Sequence, residues 1–229
     1  MRNTAHFRSS VKTNNDNECL IIRTMNHKET VKTGYNKIAD RYLAERSRDA
    51  ENVRLLNDFI ELLAPRSKVL DAGCGAGIPI TQMLAEHFDV IGVDFSEAQI
   101  KLARKNVPNA HFFCQDMTEL DYPDESLDGI CSYYAIIHIP REEHASLLVN
   151  FHRMLRTGGV ALLCLGAEDN VDDVDEFLGT SMYWSHYNSG TNLQMLKDCG
   201  FTIIWAKHIA DETCAGAKHL FVLAQKESA

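Results

Sequence analysis

Between Val69 and Gly77 the chain reads VLDAGCGAG, with glycine at 73, 75 and 77 and a carboxylate, Asp71, two residues ahead of the first. Backbone stripped of side chains after a strand lets a ligand approach peptide groups that any Cβ would screen, and the acid beside it offers charge to a positive group. The third glycine comes one residue too early for the GxGxxG turn that seats a dinucleotide pyrophosphate, and no lysine follows to hold a phosphate. Further along stand Asp94, Asp116 and, within AIIHIPREEH, His138. A histidine with a near-neutral pKa can take a proton from a hydroxyl nucleophile; the plainer use of His138 is a hydrogen bond to a backbone carbonyl before Pro140. Asp94 also has a plain use, as the cap of a helix opening at SEAQI, as do Asp116, a solvated turn acid, and Cys74, a small filler. No histidines and cysteines share a metal-ligand spacing, so no metal is expected.

These residues need a frame, and the apolar rhythm supplies one. From Val31, the positions Tyr35, Ile38, Ala39, Tyr42 and Leu43 fall on one helical face, and a second helix over 53–63 ends before Pro65. Residues 68–73 then read as a buried strand, 78–88 as a helix, 89–96 as a strand, and 97–106 as a helix. Such β-α-β-α alternation is the mark of a parallel sheet. Strands are expected at 111–117, 127–136 and 158–166, with a helix over 141–155 before the last. Residues 200–209 and 218–226 read as an antiparallel pair that completes seven strands. Residues 167–190 break the alternation and are expected to form an irregular insertion above the sheet, while 1–28 read as a mobile extension and 29–229 as one domain. Translation could start at Met1 or at Met25.

The glycine spacing, with Asp71 before it, resembles motif I of the class I S-adenosylmethionine (SAM) dependent methyltransferases, and the resemblance runs from about Tyr35 to the last strand. It implies a Rossmann-like, doubly wound α/β fold with seven strands, the last antiparallel, helices on both faces and an N-terminal helical cover. It also implies roles. Gly73, Cys74, Gly75 and Gly77 would cradle the cofactor, with Asp71 orienting its methionine ammonium. Asp94, seventeen residues after Gly77, matches the acid that accepts both ribose hydroxyls, with Phe95 beside it. Gln115, Asp116 and Met117 match the adenine-binding positions. Ser132, Tyr133 and Tyr134 would line the methionine side and the transfer channel, Tyr133 with Ser132 on the cofactor and Tyr134 toward the substrate. Tyr35 matches an early tyrosine that reaches the cofactor, Tyr42 faces the same cleft, and His138 stands where many small-molecule members place a histidine. Transfer of a methyl from sulfonium needs alignment above all, worth roughly 7–11 kcal/mol when complete.

Composition narrows the acceptor. Lysine and arginine number 23 against 32 acids, a net charge of −9, which disfavours nucleic acid phosphates; SYYA also stands where a DNA-modifying member would carry NPPY or DPPY. Small RNA and protein acceptors stay open. Cys19, Cys74, Cys114, Cys131, Cys164, Cys199 and Cys214 are scattered and read as reduced thiols of a cytoplasmic protein, and no apolar run is long enough for a membrane span. The insertion carries six acids between Glu168 and Glu176, followed by Tyr183, Trp184 and His186. A solvated acidic loop over an aromatic plug is the plain reading, and a lid contacting substrate through those three residues is the sharper one. The expectation is a monomeric or homodimeric enzyme that methylates an oxygen or nitrogen of a small molecule. The alternatives are a SAM-binding protein without catalysis and, less favoured by the glycine spacing, a nicotinamide oxidoreductase.

Overall fold

The computed structural model describes residues 27–46, 50–211 and 216–227; residues 1–26 of the expected extension and both candidate start methionines lie outside them, while His27 and Lys28, read as its end, are helical. Helix α1 (His27–Ala44) opens four residues earlier than the apolar periodicity shows, with Glu29 in its first turn, where a carboxylate faces the positive helix end. The second helical stretch is interrupted at Leu55 into α2 (Glu51–Arg54) and α3 (Leu56–Glu61). Then follow β1 (Lys68–Ala72), α4 (Ile80–Ala85), β2 (Asp89–Asp94), α5 (Glu97–Asn106), β3 (His111–Cys114), β4 (Leu127–Ser132), α6 (His144–Met154) and β5 (Leu155–Gly166).

Seven strands form one sheet in the order β3-β2-β1-β4-β5-β9-β8, where β8 is Phe201–Ala210 and β9 is Lys218–Lys226. The pairs among β1 to β5 are parallel, and β9 runs antiparallel to both of its neighbours, β5 and β8. Alternation along β1 shows why helices cover both faces: Leu70 and Ala72 join the core packed under α6, while Val69 joins the opposite core with Leu56 and Phe59 of α3 and Leu84 of α4. The chain leaves β1 toward β2 and returns, after β3, to β4 on the other side of β1. That reversal opens a crevice at the carboxyl ends of β1 and β4.

The expectation for 167–190 is corrected. Residues Asn170–Phe177 (β6) and Thr180–His186 (β7) form a two-stranded antiparallel hairpin, and a helix, α7 (Ser189–Asp198), follows. Leu178 and Gly179 both take positive φ (51° and 80°), the backbone that a two-residue hairpin turn requires. The hairpin escapes sequence pattern because β6 exposes nearly every residue, so no apolar alternation marks it. Helix α7 begins at an Asn188 cap, whose side chain accepts from the Thr191 amide at 3.0 Å.

Candidate active site

The glycine turn is stitched to the end of β2: the amides of Gly73 and Cys74 both donate to the Val93 carbonyl, at 2.8 and 2.9 Å. Gly73 has φ +80°, and a Cβ there would stand 2.2 Å from Ala135 Cβ, so only glycine lets this turn lie against the end of β4. Asp94 is gripped from both sides. Its Oδ2 accepts from the Gly75 amide at 3.0 Å and its Oδ1 from the Ser96 amide at 2.9 Å, leaving each oxygen a further lone pair for a hydroxyl. Burial pushes its pKa up to about 6 against those two bonds. Asp71, 1% exposed, accepts from Thr81 Oγ1 at 2.6 Å; burial pushes it up to about 7, and the Asp94 charge adds to the rise.

A cleft runs past both acids in two lobes of about 640 and 760 Å³, counting space open to solvent, joined at Gly73, Gly75, Tyr42, Tyr133 and Tyr134. The first lobe holds Tyr35, Asp94, Phe95, Gln115, Asp116, Met117 and His138; the second holds Asp71 and Cys74. These residues fit SAM. The acid with spare lone pairs suits a ribose, and among the described residues no cation pairs with the buried carboxylate of Asp71, a charge that a ligand ammonium or sulfonium could supply. The Gln99 amide in the first lobe has both polar atoms buried without a partner. Asp116 is already engaged: its Oδ1 accepts from the Thr118 amide and hydroxyl, both at 2.9 Å, and Lys28 Nζ lies 3.1 Å from its Oδ2.

Above this floor, α1 and the hairpin meet at His138. Tyr35 Oη lies 2.9 Å from His138 Nε2, and His138 Nδ1 lies 2.7 Å from the carbonyl oxygen of Tyr183 in β7. A carbonyl only accepts, so Nδ1 carries the proton and Nε2 is the acceptor for the Tyr35 hydroxyl. Burial holds the imidazole down to about 4, opposed by the Tyr183 bond, and it raises Tyr35, so both are neutral at physiological pH. His138 thus makes the backbone-carbonyl bond of its plainer reading, and its ring also lines the first lobe.

Other expected residues go elsewhere. Ser132 is fully buried and donates to the Ala72 carbonyl at 2.8 Å, tying β4 to β1 rather than lining the cleft. Gly77 packs the turn onto α5, where a Cβ would meet Val107 at 3.1 Å. Tyr183, Trp184 and His186 do not line either lobe. Tyr183 is enclosed, its hydroxyl donating to Asp172 at 2.6 Å; the Trp184 ring lies behind His138 at 5.7 Å; His186 Nδ1 bonds the Glu168 carbonyl at 2.7 Å. Tyr42 packs edge-on to Tyr35 at 5.2 Å, and Tyr134, held at φ +53°, takes a hydrogen bond from Asn52 Nδ2 at 2.9 Å. Sequence reasoning missed Lys28, Arg46, Asn52 and Gln99, all of which line the cleft. Arg46 lies just past the end of α1, but it had a legible signal, since the helical phase continued from Tyr42 reaches it one turn later.

A methyltransferase-domain family model matches residues 69–159. The chain is 34% identical over 166 residues to phosphoethanolamine N-methyltransferase 1 of Arabidopsis thaliana, covering 68% of this chain and 33% of that protein, so it spans about a third of that relative's length. Its fold matches the solved 1,6-didemethyltoxoflavin-N1-methyltransferase of Burkholderia thailandensis, bound to its substrate and S-adenosylhomocysteine (SAH), with TM-score 0.67 at 16% identity, over 97% of this chain and 94% of that one. The [4+2]-cyclase SpnF shares the fold at TM-score 0.67 and 16% identity, over 86% and 95% of the two chains. The fold is therefore Rossmann-like. The chain belongs to the class I SAM-dependent methyltransferases, a family whose cofactor is SAM.

Proposed function

We propose that the protein transfers a methyl group from SAM to a hydroxyl or amine of a small-molecule acceptor, with Tyr35 and His138 handling the acceptor's proton. The observation that carries this reading is the hydrogen-bonded Tyr35–His138 pair on the wall of the cleft that Asp94 and the glycine turn floor. SAM supplies a methyl group on a positively charged sulfur, and the chain supplies everything else. Asp94 accepts ribose hydroxyls, Asp71 faces positive charge, and α1 with the hairpin keeps water from the reacting end. An acceptor O–H or N–H donates to Tyr35 Oη while Tyr35 passes its own proton to His138 Nε2, leaving a neutral tyrosine and an imidazolium. The imidazole is a weak base. It suffices because the acceptor's proton becomes strongly acidic as the new bond to carbon forms.

The phosphoethanolamine methyltransferase likeness supports amino alcohols as the first acceptors to try. The test incubates the protein with methyl-labelled SAM and a panel of small amines and hydroxylated acids, reading SAH release. Turnover with one or more acceptors, lost in His138→Ala, upholds the reading. Tight SAM binding without turnover across the panel replaces it with that of a SAM-binding partner protein.

A further inference from the structure

Two side chains with fixed positive charge line the cleft among the described residues, Lys28 in the first lobe and Arg46 in the second. Lys28 is fully engaged: its Nζ lies 3.1 Å from Asp116 Oδ2 and 2.9 Å from Glu143 Oε2, and it donates to Thr118 Oγ1 at 2.7 Å. Arg46 is not. Its guanidinium carbon stands 4.1 Å from the centre of the Tyr42 ring and 5.0 Å from that of Tyr134, and among the described residues no hydrogen bond or ion pair meets its N–H groups. In a chain with 32 acids this is unusual, and the nearby carboxylates are held by other groups. Glu45 lies 3.7 Å from Arg41, Asp211 is 2.9 Å from His219, and Asp71 takes the Thr81 hydroxyl.

Stacking on two aromatic rings fixes a guanidinium by its faces and leaves its edge, the fork of parallel N–H donors, for an acceptor in the plane. Carboxylates and phosphates match that fork with two oxygens. The tyrosines are themselves anchored: Tyr42 against Tyr35, and Tyr134 by the Asn52 amide. The charge is felt at the reacting end as well, where it opposes protonation of His138.

We propose that Arg46 is the oxyanion receptor of this cleft, taking a carboxylate or phosphate group edge-on between Tyr42 and Tyr134. This rests on the reading of the cleft as a cofactor and acceptor site. Two sources can supply the group: the carboxylate at the methionyl end of the cofactor, or an anionic group on the acceptor. Either way, the second lobe takes a negatively charged oxygen group at Arg46, although its wall also holds Glu45, Asp71 and Asp211.

The test is titration calorimetry on wild type, Arg46→Met and Arg46→Lys with three probes. SAH carries the carboxylate; 5′-methylthioadenosine keeps the adenosyl thioether without the amino acid; inorganic phosphate is titrated onto the protein with and without saturating SAH. Methionine preserves the stacking stem, and thermal melts check that both variants fold. A cofactor source predicts that Arg46→Met loses about tenfold or more in SAH affinity, with 5′-methylthioadenosine unchanged and Arg46→Lys intermediate. An acceptor source predicts unchanged SAH affinity and phosphate binding to the SAH complex that disappears in Arg46→Met. Equal affinities of wild type and Arg46→Met for both SAH and phosphate overturn the proposal. If wild type binds neither nucleoside, the cofactor reading fails, and the phosphate arm alone decides the role of Arg46.

Discussion

His138 receives the Tyr35 hydroxyl on one nitrogen and spends its only N–H on the Tyr183 carbonyl, so under the proposed function its substitution separates proton handling from cofactor binding. In His138→Ala and in Tyr35→Phe, turnover should fall by about 10²-fold or more, as for other positioned acid–base groups, with SAH affinity little changed by calorimetry. Because the folded imidazole has a pKa of about 4, below its ordinary 6.5, the His138 contribution to turnover should be flat at neutral pH and fail only near pH 4. The unfolded chain binds more protons between those values, so this group also costs stability as pH falls from 6.5 through 4. Asp71 has the opposite sign. Its carboxyl is raised from 3.8 to about 7, so the folded protein holds the extra proton, and the ligand-free protein should lose stability as pH rises through that window. Asp71→Asn should therefore stabilise the ligand-free protein in alkaline buffer, by about 1–4 kcal/mol in denaturant melts. The same variant should weaken SAM more than SAH, since only SAM carries a sulfonium charge. A variant less stable than wild type under those conditions would show that Asp71 already has a compensating cation.

At the scale of elements, the reacting end exists because α1 and β7 are pressed together. Gly34 makes that approach possible: a Cβ there would stand 2.9 Å from Met182 Cε and 3.1 Å from the Ser181 carbonyl, a backbone atom that cannot yield as a methionine tip can. Gly34→Val should push α1 off the hairpin and part Tyr35 from His138. Turnover should collapse, while the loss of overall stability stays near the 1–3 kcal/mol of an ordinary overpacking. Full turnover in that variant would mean that the hairpin gives way and the pair survives. Gly73 performs the matching task on the floor of the cleft. Gly73→Ala combines a positive φ with a Cβ collision against Ala135, and it should abolish SAH binding while the far-ultraviolet dichroism of the sheet and helices persists.

For the molecule as a whole, SAH should stabilise the fold by about 2.7 kcal/mol at a hundredfold excess over its dissociation constant, read as a rise in melting temperature that NAD does not reproduce. Asp94→Ala should need far more SAH for the same rise, because two charged acceptor sites for ribose hydroxyls are gone. The succession of strands along the chain, the glycine turn and the acids at the ends of β1, β2 and β3 were legible in the sequence, because each rests on local pattern: an apolar run, then the residue that ends it; the order of the strands across the sheet was not. Tyr35, Tyr42 and His138 were legible as cleft residues for the same reason, by helical phase and by position after β4. Only the tertiary structure decided what those residues touch. Tyr35 and His138 are 103 positions apart, and nothing local records their bond or the Tyr183 carbonyl that sets the imidazole tautomer. The β6–β7 hairpin was hidden because an exposed acidic strand carries no hydrophobic period, and its placement against α1 turned Tyr183 and Trp184 inward, away from the cleft wall expected for them. Continuing the helical phase of α1 puts Arg46 on the side of Tyr42, but that no carboxylate among the described residues pairs with it is a property of three-dimensional neighbours.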